Sequence, residues 1–325
     1  MIEADFRPSV MLANRHLQSV LATMPPRRTL IRYRARCLQE QSRELLVNCG
    51  DGVRLFAHFN APTGPANGRL VVMIHGWEGS AESGYLLSVA PLLTQQGYTV
   101  IRLNLRDHGE SHHLNEALFH SCRLAEVVGA MGWIQEHYPD LRLSLVGYSL
   151  GGNFVLRVGA EASRAGLEVE RIVALCPVLN PVQTMAALDG GWLGYRHYFL
   201  SKWRQSLLKK SAAFPDRYRF SRLQKFSTLE SMTDFFITRY TEFADLRSYL
   251  NGYALTGDRL KELSASTAML LAEDDPVIPM VGLKDIYRPA NLTVYHSALG
   301  GHCGFLESLG PRSWLDNFIL EQLAE

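Results

Sequence analysis

The sequence predicts an α/β protein with a mostly parallel central sheet, helices on both faces and a helical cap insertion. Three observations carry that prediction. Short apolar runs alternate with helical stretches along most of the 325 residues, the alternation lapses once in an aromatic-rich stretch, and a glycine-flanked serine falls at a strand-to-helix junction. The runs at 70–74, 99–103, 141–146, 172–175, 268–271 and 292–295 are short and rich in Val, Ile or Leu, as strands covered on both faces should be. Helical patterns at 83–96, 122–137, 152–165 and 313–323 separate or follow them. Such alternation makes a parallel sheet with right-handed crossovers. Ahead of it, 43–47 and 54–59 flank a Gly50-Asp51-Gly52 turn and read as an antiparallel hairpin. The lapse, from about 181 to 260, holds Trp192, Tyr195, Phe199, Trp203, Phe236 and other aromatics among basic residues. It reads as an amphipathic helical insertion whose rings form its own core, line an apolar acyl pocket, or both. One domain over 1–325 carrying this insertion is the expected organisation.

Composition narrows the function. Hydrophobic residues are 47% and charged residues 20% of the chain, which is ordinary for a globular protein and unlike a disordered one. Lys plus Arg number 33 against 32 for Asp plus Glu, so there is no electrostatic reason to expect nucleic acid as a partner. The five cysteines (37, 49, 122, 176 and 303) are odd in number and never form C-x-x-C, which fits a reducing compartment better than a disulfide framework or zinc site. The first six residues, Met1 to Phe6, carry acids where a secretory signal would carry bases. No run approaches the roughly 18 apolar residues of a membrane span, and a cytoplasmic protein is expected.

Chemistry concentrates around Gly147-Tyr148-Ser149-Leu150-Gly151, between the apolar run 141–146 and a helical pattern. In that context the motif reads as a nucleophile elbow, a tight turn that exposes a serine hydroxyl in a strained conformation. A serine needs a base, and the base needs a third group to fix its tautomer. The chain order expected for this arrangement is Ser, acid, His. Glu273, Asp274 and Asp275 follow the next-to-last strand, and His302 follows the last one among glycines 300, 301 and 304. The Leu150 N–H, directly after the serine, is one expected oxyanion donor. His75 reads as a buttress of its loop, and Glu78 as a solvated or loop-bracing side chain. Arg106-Asp107-His108-Gly109-Glu110-Ser111-His112-His113 has the look of a metal tract, but no ligand spacing repeats and no second cluster complements it, so no metal is expected. No G-K-[ST] follows the glycine turns, so there is no phosphate loop. Arg27, Arg28, Arg32, Arg34 and Arg36 read as a solvated basic face.

Beyond these residues, the chain resembles the α/β-hydrolases, and more narrowly the AB hydrolase 4 family. The resemblance is carried by Phe6-x-Pro8, Asn14-Arg15-His16-Leu17-Gln18-Ser19, His75-Gly76-Trp77-Glu78-Gly79-Ser80, Gly147 to Asn153, Asp274-Asp275-Pro276 and Gly301 to Phe305. It implies an α/β-hydrolase fold and an ester-cleaving serine enzyme with no cofactor. The superfamily places the acid one residue before the position of Pro276, which selects Asp275 over the runner-up Asp274. Its oxyanion loop matches His75-Gly76 and makes the Trp77 N–H the second donor. Relatives often have Arg-Gly where this chain reads Arg106-Asp107, and several carry an amino-terminal anchor that is not expected here. The expected reaction is hydrolysis of a small-molecule carboxylic ester with a short to medium acyl chain, through an acyl-enzyme on Ser149. The competing readings are an acyltransferase using the same serine with an alcohol or thiol acceptor, and a hydrolase-fold binding protein without catalysis.

Overall fold

The protein is described from a computed structural model covering residues 1–220 and 223–324. Nine strands form one sheet: β1 (Ile2–Glu3), β2 (Arg43–Asn48), β3 (Arg54–Asn60), β4 (Arg69–Ile74), β5 (Thr99–Leu103), β6 (Arg142–Tyr148), β7 (Val169–Leu175), β8 (Ser266–Ala272) and β9 (Leu292–Ser297), in the spatial order β1-β9-β8-β7-β6-β4-β5-β3-β2. β2 pairs antiparallel with β3, from Arg43 against Phe59 to Asn48 against Arg54, as the hairpin pattern predicts. β3 in turn runs antiparallel to β5, and all the remaining pairs are parallel.

Side-chain alternation along a strand sends successive residues to opposite faces, and β4 shows how this builds two cores. Leu70, Val72 and Ile74 pack with α4 (Leu124–His137) and α5 (Leu150–Glu161), while Val71 and Met73 pack with α2 (Pro25–Glu40), α3 (Gly84–Gln95) and α10 (Trp314–Ala324). The sheet is thus covered on both faces, which is why its central strands read as uninterrupted apolar runs.

The amino-terminal helices α1 (Arg15–Leu21) and α2 stand where the sequence suggested only a basic face. Along α2 the buried positions are Arg27, Ile31, Ala35 and Leu38, a helical stripe with only two large apolar members. Arg28, Arg32, Arg34 and Arg36 are exposed as expected, but Arg27 is not. Its guanidinium is buried and donates to the carbonyls of Ala22, Gly310 and Pro311, so it ties the end of α1 to the loop before α10.

Between β7 and β8 the chain folds into α6 (Pro181–Gly190), α7 (Leu193–Ala213), α8 (Leu229–Tyr240) and α9 (Leu246–Gly252). Asn180, Thr228 and Asp245 cap α6, α8 and α9 with side-chain oxygens that accept from the first-turn N–H groups. The aromatics serve both expected roles, and Phe236 takes part in each. Tyr218, Phe220, Phe226, Phe235, Phe236 and Tyr240 pack on one another, and Phe199 lies flat on Trp77 at 5.2 Å between ring centroids.

α7 is fastened to the loop after β5 by a buried ion pair. Lys210 Nζ lies 2.7 Å from Asp107 Oδ1 and also donates to the carbonyls of His112, Asn115 and Ala117. Asp107 has φ of 58°, the left-handed region that favours glycine. The aspartate therefore holds this conformation at a backbone cost, and its carboxylate offsets that cost by accepting from Lys210 and from the Phe119 N–H. Removing one partner of such a pair leaves a buried charge, which costs about 3–5 kcal/mol. Lys210→Met is therefore expected to lower the denaturation midpoint sharply. The double variant Asp107→Gly with Lys210→Met should recover most of the loss. An unchanged midpoint in the single variant would contradict the role given to the pair.

Candidate active site

Ser149 stands between β6 and α5 with φ 54° and ψ −116°, a strained backbone that only a tightly packed turn sustains. Two glycines make the turn possible by close approach. A Cβ on Gly147 would lie 2.2 Å from the Gly151 carbonyl oxygen, and one on Gly151 would lie 2.2 Å from that of Ile74. The Ser149 N–H donates to the Leu175 carbonyl at 2.8 Å, which holds the elbow to the end of β7.

The loops after β8 and β9 bring the other predicted residues to this serine. His302 Nε2 lies 2.9 Å from Ser149 Oγ, and its Nδ1 lies 2.8 Å from Asp275 Oδ2. Asp275 is buried, and its Oδ1 accepts from the Val277 and Ile278 N–H groups at 2.7 and 2.9 Å. Asp274 points elsewhere and accepts from the Gly301 N–H at 2.9 Å, bracing the histidine loop. Glu273 Oε1 meets His296 Nδ1 at 2.7 Å. Of the three adjacent acids, only Asp275 reaches His302. Burial works to lower the His302 pKa, but the Asp275 carboxylate and the Cys303 sulfur outweigh it and raise the value to about 9.

The loop after β4 closes the other side. A Cβ on Gly76 would come within 3.2 Å of Ser149 Cβ, so the loop backbone lies directly against the serine. His75 is buried. Its Nε2 accepts from the Leu105 N–H at 3.2 Å, leaving Nδ1 to donate to the Gly76 carbonyl at 2.7 Å, the buttress expected of it. Trp77 and Leu150 line the same pocket as Ser149, and among the described residues neither of their N–H groups has an acceptor within the protein. Of the two expectations for Glu78, solvated or loop-bracing, the structure does not bear out the first. It is not solvated but half-buried in the pocket wall with φ of 56°, its N–H donating to His108 Nε2 at 3.2 Å. Burial pushes its carboxyl up to about 8, against the pull of Lys202.

The pocket encloses about 1120 Å³ of empty space, counted out to solvent at its mouth. Val178, Met185, Leu188, Phe199, Trp203 and Phe236 give it a mostly apolar wall supplied largely by the insertion. This is the composition of a small-molecule site.

The 106–113 tract is taken up internally. Arg106 makes a bidentate pair with Glu126 at 2.6 and 3.0 Å, Asp107 pairs with Lys210, and His112 Nε2 lies 2.9 Å from Ser206 Oγ. Among the described residues no group of three or more His, Cys, Asp or Glu is arranged to hold a metal. No described helix is long and apolar enough to cross a membrane.

The 14–19 segment, which carries part of the family resemblance, has a structural task near the site. The Gln18 amide is buried, with Oε1 accepting from Leu306 N–H at 2.6 Å and Nε2 donating to the carbonyls of Leu12 and Leu306. Ser19 Oγ accepts from the His302 N–H at 2.8 Å, and His16 Nδ1 lies 3.1 Å from the Tyr195 hydroxyl of α7. The segment therefore splints the histidine loop and touches the insertion. Gln18 is the one fully buried residue of α1, and it is polar.

A mostly parallel sheet with a serine on a strand-to-helix elbow, and a histidine and an acid on later loops, defines the class of α/β hydrolases. The chain belongs to the alpha/beta hydrolase fold family, whose model matches residues 69–309. It is similar to YheT of Escherichia coli (strain K12), named as a candidate esterase, at 26% identity over 98% of this chain and 93% of that one. It is also 21% identical to the mouse phospholipase ABHD3, over 74% of this chain and 59% of that protein. Among solved structures, the Pyrococcus furiosus esterase Pf2001 shares the fold with a TM-score of 0.59 and 16% identity, covering 89% of this chain and 94% of its own.

Proposed function

We propose that the protein hydrolyses carboxylic esters with short to medium acyl chains through an acyl-enzyme on Ser149. The observation that carries the reading is the hydrogen-bonded chain from Ser149 Oγ through His302 to the buried Asp275, set at the wall of an apolar pocket. The names of the relatives, an esterase and a phospholipase among them, support the same chemistry.

In the proposed reaction Ser149 Oγ attacks the ester carbonyl carbon while its proton passes to His302 Nε2. Asp275 holds the Nδ1–H tautomer and stabilises the imidazolium. Negative charge moves to the carbonyl oxygen, where the Trp77 and Leu150 N–H groups receive it. The alcohol leaves with the proton from His302, and the acyl group stays on Ser149. Water then repeats the sequence, with His302 as base, and releases the acid. Five free cysteines fit a protein that works in a reducing compartment.

A fluorophosphonate probe tests the assignment directly. It should form one covalent adduct, on the peptide containing Ser149, and none in Ser149→Ala. Labelling that survives the substitution would place the reactive serine elsewhere.

A further inference from the structure

His120 is a buried histidine that the proposed chemistry does not use. It is 4% exposed, lines the pocket shared with Ser149, and leaves both ring nitrogens without a hydrogen-bond partner. Of the pocket-lining side chains, only His120 and Thr184 leave fully buried polar atoms unpartnered among the described residues, and His120 leaves two. A buried polar group without a partner costs free energy unless something else satisfies it. The neighbouring polar groups are already engaged. The Tyr249 hydroxyl donates to Ser121 Oγ and accepts from the Ser121 N–H, and the Ser121 carbonyl accepts from Arg157. The ring of His120 stands edge-on to Phe243 and Tyr249. Glu242 approaches only to 3.7 Å, beyond a hydrogen bond, from an exposed position.

The ligand chemistry follows from the imidazole. Burial, with Arg123 and Arg106 adding to it, lowers the His120 pKa to about 3, so the ring is neutral across the working range. A neutral imidazole offers one donor and one acceptor. A hydroxyl can serve whichever nitrogen faces the pocket in either tautomer, because it donates to a bare nitrogen and accepts from a protonated one. A carboxylate has no proton for the acceptor nitrogen and would face Glu242.

We infer that His120 forms a polar subsite within the apolar pocket, which receives a hydroxyl group carried on the aliphatic acyl part of the ester, remote from the scissile carbonyl. This rests on the ester-hydrolase reading of Ser149 and names its substrate class as hydroxyacyl esters.

The test compares kcat/KM for 4-methylumbelliferyl octanoate with the esters of octanoic acids bearing a hydroxyl on carbon 3, 6, 7 or 8. It uses the wild type and the variants His120→Leu, His120→Phe and His120→Gln. At least one hydroxylated ester should exceed octanoate by about tenfold, the scale of one buried hydrogen bond. That ratio should fall to about one in the Leu and Phe variants and persist in His120→Gln, which keeps a donor and an acceptor. Because each ratio is taken within one variant, partial loss of folded protein does not imitate the effect. A ratio near one for every ester in the wild type, or a wild-type ratio in both apolar variants, overturns the subsite. Calorimetric binding of the methyl esters of the same acids to Ser149→Ala, with and without His120→Leu, separates the two proposals. A His120-dependent hydroxyl preference in binding without turnover by the wild type would retire the reaction and keep the subsite. Turnover without any preference would do the reverse.

Discussion

Ser149→Ala is expected to lower kcat on p-nitrophenyl butyrate by about 10⁵- to 10⁶-fold, with KM changed little, because the hydroxyl forms a bond in the reaction and contributes little to binding. The Ser149 main chain sits at φ 54° by virtue of its glycine neighbours, and alanine can occupy it as serine does, so the fold should be unaffected. The rate that remains above the uncatalysed one would come from the Trp77 and Leu150 N–H groups and from binding in the pocket. Adding His302→Ala to Ser149→Ala should cost little more, since a base with no nucleophile to serve has nothing left to lose. Activity of Ser149→Ala within tenfold of wild type would end the proposal.

Asp275→Asn should lower kcat by about 10⁴-fold, because an amide facing Nδ1 favours the wrong imidazole tautomer. Asp274→Asn should stay within about tenfold of wild type, since its new amide oxygen can still accept from the Gly301 N–H. Equal losses in the two variants would mean that the acid was misassigned. The pH profile gives a second reading. The base must be neutral to accept a proton, so kcat/KM of the wild type should rise with pH through the His302 pKa of about 9 and level off above it. Removing the Asp275 charge removes the largest contribution that raises this pKa while burial still lowers it. The inflection in Asp275→Asn should therefore move to lower pH. A profile that does not move would show that Asp275 does not govern the base.

Much of the architecture is legible in the sequence because doubly covered strands and the glycine-flanked elbow leave strong local signals. The runs ending at Ile74, Leu103 and Val146 became β4, β5 and β6 within two residues of the expected ends. The site order of Ser149, acid and His302 was legible because each falls just past a strand. Which acid reaches His302 was not legible from three adjacent carboxylates, since that depends on how one turn rotates its side chains; the resemblance supplied the choice. Helix α2 escaped notice because its buried stripe includes Arg27 and Ala35, so its period is hidden from hydropathy. The burial of Glu78 was illegible for a related reason. A carboxylic acid in a loop reads as exposed until the insertion is folded over it. His120 carries no signal of its own in the sequence, and only the packing of Phe243 and Tyr249 around its ring sets it apart.

The Asp107–Lys210 pair bears on how such insertions are inherited. One end of the pair belongs to the scaffold that carries the elbow, and the other to the helical segment that shapes the pocket. A recombination that moved 181–260 into a relative with glycine in place of Asp107 would deliver a lysine with no counter-charge to meet it. The reciprocal exchange would strand the aspartate. Changes at 107 and 210 should therefore travel together.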